Sequence, residues 1–283
     1  MARASHRDRR VSAPARNASA SVVSSWARPS RRTVERGLSI LSPLVLLAIW
    51  EAGAIVGVVD TRFFPAPSTI FAALATLLQA GELQEHLLIS LERIAVGFVL
   101  GAVPGIVLGL AIGLLPLVRA IVQPLVDATF PIPKIALLPM VIMLFGIGEG
   151  SKYAIIAIAV VFLVLINTEA GVRNIERIYL DVGRNYGASR LMFFTDIALP
   201  GALPMIMAGL KLGMGVALII IVSAEFVGAR NGIGYLIWNS WNTFQVDRMY
   251  AGLMVIALLG FASALLLAAL ERVLVPWRSA VRI

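Results

Sequence analysis

Few residues in this sequence have the type and spacing that chemistry needs. Gly146-Ile147-Gly148-Glu149-Gly150-Ser151-Lys152 is glycine-rich and ends in a lysine, the ingredients of a phosphate-binding loop. Such a loop needs G-x-x-x-x-G-K-[ST], so that backbone N–H groups cradle phosphates and the lysine reaches the terminal one. The spacing here is different, and the G-x-G-x-x-G dinucleotide pattern also fails. There is no cysteine, and His6 and His86 are the two histidines. That excludes disulfide frameworks, thiolate metal sites and cysteine nucleophiles. No nucleophile–base set and no clustered metal ligands stand out. Three charged residues lie inside long apolar runs: Glu51, Lys211 and Glu225. An ionisable group at membrane depth is a functional candidate by default. Lys211 is about two turns into its run and can reach the interface, and Glu225 is near the end of its run. Glu51 is the hardest to set aside, with a structural role as its competing reading. An ion-coupled transporter more often carries several such groups. The chain therefore either passes solute passively, couples an ion through Glu51, or is driven by another protein.

The elements that must hold these residues are membrane spans. Of 283 residues, 59% are hydrophobic and 14% charged, with a mean hydropathy of +0.89. A soluble domain carries about 25% charged residues, so too little polar surface exists to coat a water-soluble globule. Six apolar runs follow: about Leu38–Val59, Ile94–Leu117, Ile132–Gly148, Tyr153–Thr168, Leu203–Val227 and Met249–Val273. At about 1.5 Å rise per residue the first covers roughly 33 Å, enough for a bilayer core. The expected fold class is an all-α membrane protein with six transmembrane helices.

Charge sets the expected orientation. Residues 1–36 hold nine arginines against Asp8 and Glu35, so most of the net charge of +8 lies in this tail. A basic tail can bind nucleic acid, but arginine ahead of a first span holds that end in the cytoplasm, and anionic lipid attracts it too. The second reading is preferred, with no nucleic-acid partner. Ser30-Arg31-Arg32 before an apolar run resembles a twin-arginine export signal. Val34-Glu35-Arg36 and the length of the following run argue against it. Residues 1–36 are expected to be a disordered cytoplasmic tail, and residues 37–85 the first span and its external connection. Arg173, Arg177, Arg184 and Arg190 lie between the fourth and fifth runs, and Arg272, Arg278 and Arg282 near the end. Both termini, including residues 275–283, are expected inside, with the chain in the plasma membrane and the bilayer as its solvent.

Two spans have internal features. Gly97, Gly101, Gly105, Gly109 and Gly113 recur every four residues, a stripe for close helix packing in lipid, with pathway lining as the alternative. A four-residue step advances about 400°, so the stripe drifts and suits a partner crossing at an angle. Pro104 is expected to kink this span. Pro131, Pro133 and Pro139 break the third, which belongs inside the bundle because broken backbone needs protein or water around it. Lys134 is expected to snorkel to the cytoplasmic edge.

The loop of about Asn174–Gly201 is more than a linker. Tyr179, Leu180, Val182 and Tyr186 mix with charges, Gly187 interrupts, and Ser189 is a good N-cap for Arg190–Ile197, with Leu199-Pro200 ending the unit. Two short helices joined by a glycine break read as a docking element, or as a helix lying on the membrane interface.

The run Asp181-Val182-Gly183-Arg184-Asn185-Tyr186-Gly187-Ala188-Ser189, followed by Ile197-Ala198-Leu199-Pro200-Gly201-Ala202-Leu203-Pro204, resembles the EAA loop of the permease subunits of binding-protein-dependent ABC importers. The name-giving triplet departs, being Asp181-Val182-Gly183. Phe64-Pro65-Ala66-Pro67-Ser68, Arg93 with Gly97-Phe98, Pro131–Pro139, Phe145–Gly148, Ala224–Gly228 and Gly232–Leu236 are similar to the alkanesulfonate, taurine and nitrate branch. The resemblance implies a type I ABC importer permease fold with a core over residues 86–274. It implies that Asp181, Val182, Gly183, Arg184, Asn185, Tyr186, Gly187, Ala188, Ser189 and Arg190 form a coupling helix docking an ABC ATPase dimer. It also implies a second permease copy, an external solute-binding protein, and no catalysis or bound cofactor in this chain, ATP and Mg being held by the ATPase. The implied solute is a small organic or inorganic anion; similar permeases also serve vitamin-precursor uptake.

Overall fold

The structure is a computed structural model that describes residues 31–277. Most of the arginine-rich tail, residues 1–30, and Arg278 and Arg282 lie outside the described residues, so the expectation of a disordered tail falls largely there. Two compact units divide between Ala48 and Ile49. In the first, the described residues are the N-terminal part of helix α1 (Arg31–Ile55), where Leu41, Leu44, Val45 and Leu46 are exposed.

The second unit is built from helices alone among the described residues. They are α2 (Pro67–Gln79), α3 (Glu82–Leu114), α4 (Pro116–Thr129), a 3₁₀ turn (Lys134–Leu137) running into α5 (Leu138–Phe145), and α6 (Glu149–Arg173). Then come α7 (Arg177–Asn185), α8 (Arg190–Met192), a π turn (Phe193–Ala198), α9 (Leu199–Phe226), α10 (Ile233–Asn242) and α11 (Val246–Leu274). Among the described residues, four helices are long and apolar enough to cross a membrane: Glu82–Leu114, Glu149–Arg173, Arg190–Phe226 and Val246–Leu274. A fifth crossing is possible if α4 and the segment Lys134–Phe145, bent by 89° at their junction, count as one. The third run is thus not one span over Ile132–Gly148. Pro131 and Pro133 cannot donate backbone hydrogen bonds, so the helix stops at Thr129 and restarts at an angle.

Helix α6 is the centre of the bundle. Ile155, Ile156, Val160 and Val164 are fully buried between α3 and α9. The glycine stripe of α3 carries one side of this packing. Gly97, Gly101, Gly105, Gly109 and Gly113 face Ile156, Val160, Val164, Thr168 and Val172 in turn. Each step of four on α3 meets a step of four on α6, and the two helices run parallel. The partner stripe drifts at the same rate, so contact persists through all five steps instead of at one crossing point. Pro104 sits within the uninterrupted helix. On the other side of α6, Gly209 and Gly213 of α9 meet Asn167 and Val160, so α9 is antiparallel to it. Helix α11 buries little beyond Ala251, Gly252, Val255 and Leu267, and its outer leucines are exposed. Apolar surface on this scale belongs in lipid.

Candidate functional site

The docking element lies at the end of the bundle where α3 and α6 finish and α9 begins. Helix α7 closes in a Schellman motif. The Gly187 N–H donates to the Arg184 carbonyl at 3.1 Å, and the Ala188 N–H to the Gly183 carbonyl at 2.9 Å. Gly187 has φ +67°, the left-handed conformation that such an ending requires and that glycine adopts without cost. Ser189 then caps the next helix, its Oγ accepting from the Met192 N–H at 3.2 Å. The expected helix–glycine–helix is present, but the second helix does not stop at Leu199-Pro200. It continues through the π turn, giving one helix over Arg190–Phe226. Pro200 has no N–H to offer, and the widened turn just before it absorbs the irregularity.

The loop has two faces. Ile178, Tyr179, Val182 and Tyr186 form an exposed apolar stripe on α7, with Tyr186 87% exposed, and Leu191, at 72%, and Met192 extend it. Gly183 is turned inward, where an added Cβ would fall 2.5 Å from Ile197 Cδ1. That contact fits glycine as the third residue of the Asp181-Val182-Gly183 triplet, since a side chain there would have to displace the end of the Ile197 side chain. Asp181 and Asn185 are exposed, and Ala188 is half-buried. Arg184, Ala188 and Arg190 line a cavity that opens between the loop and the end of α3.

A buried polar cluster occupies the other end of the same helices. Arg93, 1% exposed on α3, places all five of its N–H donors. Nε and Nη2 donate to the two carboxylate oxygens of Glu149 at 2.6 and 2.7 Å. Nη1 donates to Glu225 Oε1 and to the Asn231 carbonyl, each at 2.8 Å, and Nη2 to Asn231 Oδ1 at 2.8 Å. Glu225 also accepts from Ser90 Oγ and from the Gly234 N–H, each at 2.8 Å. Ser90 Oγ accepts from the Ile233 N–H at 2.8 Å, and His86 Nδ1 from the Gly232 N–H at 3.1 Å. One guanidinium thus joins α3, the start of α6, the end of α9 and the segment entering α10.

The remaining charged residues are accounted for structurally. Glu51 accepts from the Ser68 N–H at 2.9 Å and Ser68 Oγ at 2.7 Å, capping the first turn of α2. Lys211 pairs with Glu271, in the last turn of α11. The glycines at 146 and 148 form the turn from α5 to α6, Gly146 with φ +79°. Sequence reasoning missed the role of Glu149 and gave Arg93 none of its own. The run boundaries were drawn around apolar residues alone, and the unbroken helical stretch from Glu82 was the signal that α3 starts a dozen residues earlier.

The profile of the family described as "Binding-protein-dependent transport system inner membrane component" matches residues 105–277. The chain is 35% identical over 262 residues to the taurine transport system permease protein TauC of Escherichia coli (strain K12), covering 91% of this chain and 94% of that one. It is 33% identical over 252 residues to the putative aliphatic sulfonates transport permease protein SsuC of Bacillus subtilis (strain 168), covering 89% and 91%. Among solved structures, an inward-facing MetNI methionine ABC transporter aligns with a TM-score of 0.56 at 21% identity, over 65% of this chain and 93% of that one. An amino acid ABC transporter solved with histidines gives 0.56 at 16% identity, over 72% and 97%. At these identities the two structures speak to the fold.

Proposed function

Because the chain belongs to the family of inner membrane components of binding-protein-dependent transport systems, we propose that it is the permease subunit of an ATP-driven importer. The observation that carries this reading is the exposed apolar stripe of α7, held in a rigid capped turn and joined directly to a spanning helix. An apolar face at the water-facing end of a bundle calls for a protein partner, and an ATPase dimer on the cytoplasmic side is that partner. Residues Asp181–Arg190 form the coupling element. Closure of the ATPases on ATP pushes this loop, and the unbroken helix Arg190–Phe226 passes the displacement to the core, which alternates between inward- and outward-facing states. ATP and Mg belong to the ATPase, and this chain performs no hydrolysis.

Six spans with both termini in the cytoplasm accommodate this mechanism. On this reading the bent pair Pro116–Phe145 returns the chain across the bilayer between the parallel α3 and α6, and α1 is the sixth crossing. Two copies of the chain enclose the path, and an external binding protein delivers the solute. The solute is a small organic anion of the sulfonate class, the class named for TauC and SsuC. The rival, ion coupling through Glu51, loses support because that carboxylate is committed to Ser68.

The test is co-purification of the full chain with its cognate ATPase subunit. Tyr186→Ala and Val182→Asp should each reduce recovery of the ATPase and abolish solute-stimulated ATP turnover. Undiminished recovery with both substitutions would sink the docking assignment. Ligand screening of the cognate binding protein against taurine, alkanesulfonates and nitrate identifies the solute.

A further inference from the structure

The inner face of the docking loop has a second use. Between the loop and the last two turns of α3 lies a cavity of about 650 Å³, within the range of about 300–1,000 Å³ of ligand pockets. Its walls include Val107, Ala111, Leu114 and Phe193, and it also carries Arg184 and Arg190. Neither arginine has a carboxylate within ion-pair distance among the described residues. The Schellman turn at Gly187 brings them to one cavity: Arg184 ends α7 and Arg190 begins α8. A cation in the first turn of a helix opposes the helix dipole, so Arg190 does not serve its own helix. Both guanidinium groups are solvent-exposed at the mouth of this cavity, where an anion would be attracted by the two together.

We infer that this cavity binds one anionic phospholipid of the cytoplasmic leaflet, its phosphate on Arg184 and Arg190 and an acyl chain along Val107, Ala111 and Leu114. The charges match: basic pockets at the cytoplasmic end of spanning helices take anionic headgroups, and the apolar walls suit a chain rather than a free anion. The outer stripe at Tyr186 stays available to the ATPase, so lipid and ATPase occupy opposite faces of one loop. The bound lipid fills the gap under the loop and stiffens the element that receives the ATPase stroke. The inference shares with the proposed function only the placement of this loop on the cytoplasmic side.

The experiment is native mass spectrometry of the full chain in detergent, titrated separately with phosphatidylglycerol, phosphatidylcholine and inorganic phosphate. One phosphatidylglycerol per chain is expected, bound more tightly than phosphatidylcholine, with no retained phosphate. Each of Arg184→Gln and Arg190→Gln should weaken phosphatidylglycerol about fivefold, leaving phosphatidylcholine unchanged. Ala111→Phe, which takes up acyl space, should weaken both lipids. Equal binding of the two lipids by the unsubstituted chain overturns the inference, as does an undiminished preference in the double glutamine variant. Retention of phosphate alone assigns the site to a free anion. Loss of self-association in Ala111→Phe with lipid binding intact assigns it to a second copy. Because the assay contains no ATPase, its failure leaves the importer reading to the co-purification test.

Discussion

The guanidinium of Arg93 and the carboxylate of Glu225 meet at 2.8 Å inside the bundle, 132 residues apart in the chain. Neither is reachable by solvent. Two buried charges cost several kcal/mol to desolvate, and their pairing repays this only if every remaining donor and acceptor is matched. Here Arg93 has no donor left over, and Glu225 is held by Ser90 and the Gly234 N–H as well. The cluster therefore works less as a source of stability than as a clamp fixing four chain segments in one arrangement.

Removing one partner strands the other. Arg93→Met leaves the buried Glu225 with no cation and Glu149 with Lys152 alone, and should cost about 3–5 kcal/mol. Glu225→Gln keeps the shape and one acceptor and should cost less. The double variant Arg93→Met/Glu225→Met should be more stable than Arg93→Met alone. Unfolding midpoints of the detergent-solubilised chain, compared across these three, check the sign of the coupling. Additive losses would mean that the two residues do not act as a pair.

The glycine stripe makes a contrasting prediction with a control on a neighbouring helix. A methyl group at Gly109 would fall 2.6 Å from the Leu165 carbonyl and 2.6 Å from Thr168 Cβ, whereas one at Gly215 meets nothing within 4 Å. Gly109→Ala should destabilise by about 1–3 kcal/mol through overpacking. Gly215→Ala should be neutral or slightly stabilising, since alanine is the better helix former. Thermal midpoints measured in parallel decide it. A drop of the same size at Gly215 would show that the loss comes from something other than α3–α6 contact.

The stripe also shows what was legible without coordinates. A four-residue glycine repeat states that a helix must come close, because its period is that of one helix face. It does not say that α6 answers with its own four-residue step, since Ile156, Val160, Val164, Thr168 and Val172 read as ordinary apolar sequence. The docking loop was readable because Gly187 and Ser189 are local signals, each fixing the backbone around itself. The continuation of that helix into α9 was hidden by Pro200, a residue that normally marks an end. The clamp was the least legible. Arg93, Glu149 and Glu225 sit on three helices, and only tertiary packing turns three isolated charges at run edges into one cluster.

Gly187 tests the loop by backbone alone. Its φ of +67° is unfavourable for a β-branched residue, while an added Cβ would meet no neighbouring atom. Gly187→Val should misdirect α8 relative to α7 and reduce ATPase recovery. Gly187→Asn, which tolerates left-handed backbone, should retain most of it. Equal behaviour of the two variants would indicate that side-chain volume, rather than chain direction, governs docking.

Lys134 should be tested at the bend between α4 and α5. Its ammonium donates to the carbonyls of Thr129 at 2.9 Å and of Phe130 and Ile132 at 3.0 Å each. It also lies 4.2 Å from the ring centre of Phe162, which stands midway along α6. The side chain therefore folds back onto the break between α4 and α5. It supplies the donors that Pro131 and Pro133 cannot. Lys134→Met takes a donor from three carbonyls, of which only that of Thr129 keeps another in the Ile132 N–H, and removes the cation from the ring, so a loss of about 1–3 kcal/mol is expected. Lys134→Arg should recover little of it, because a planar fork does not fit three convergent acceptors. Unfolding midpoints in detergent report both variants, and wild-type stability in Lys134→Met would mean that the bend is held by packing around Phe162 without the ammonium.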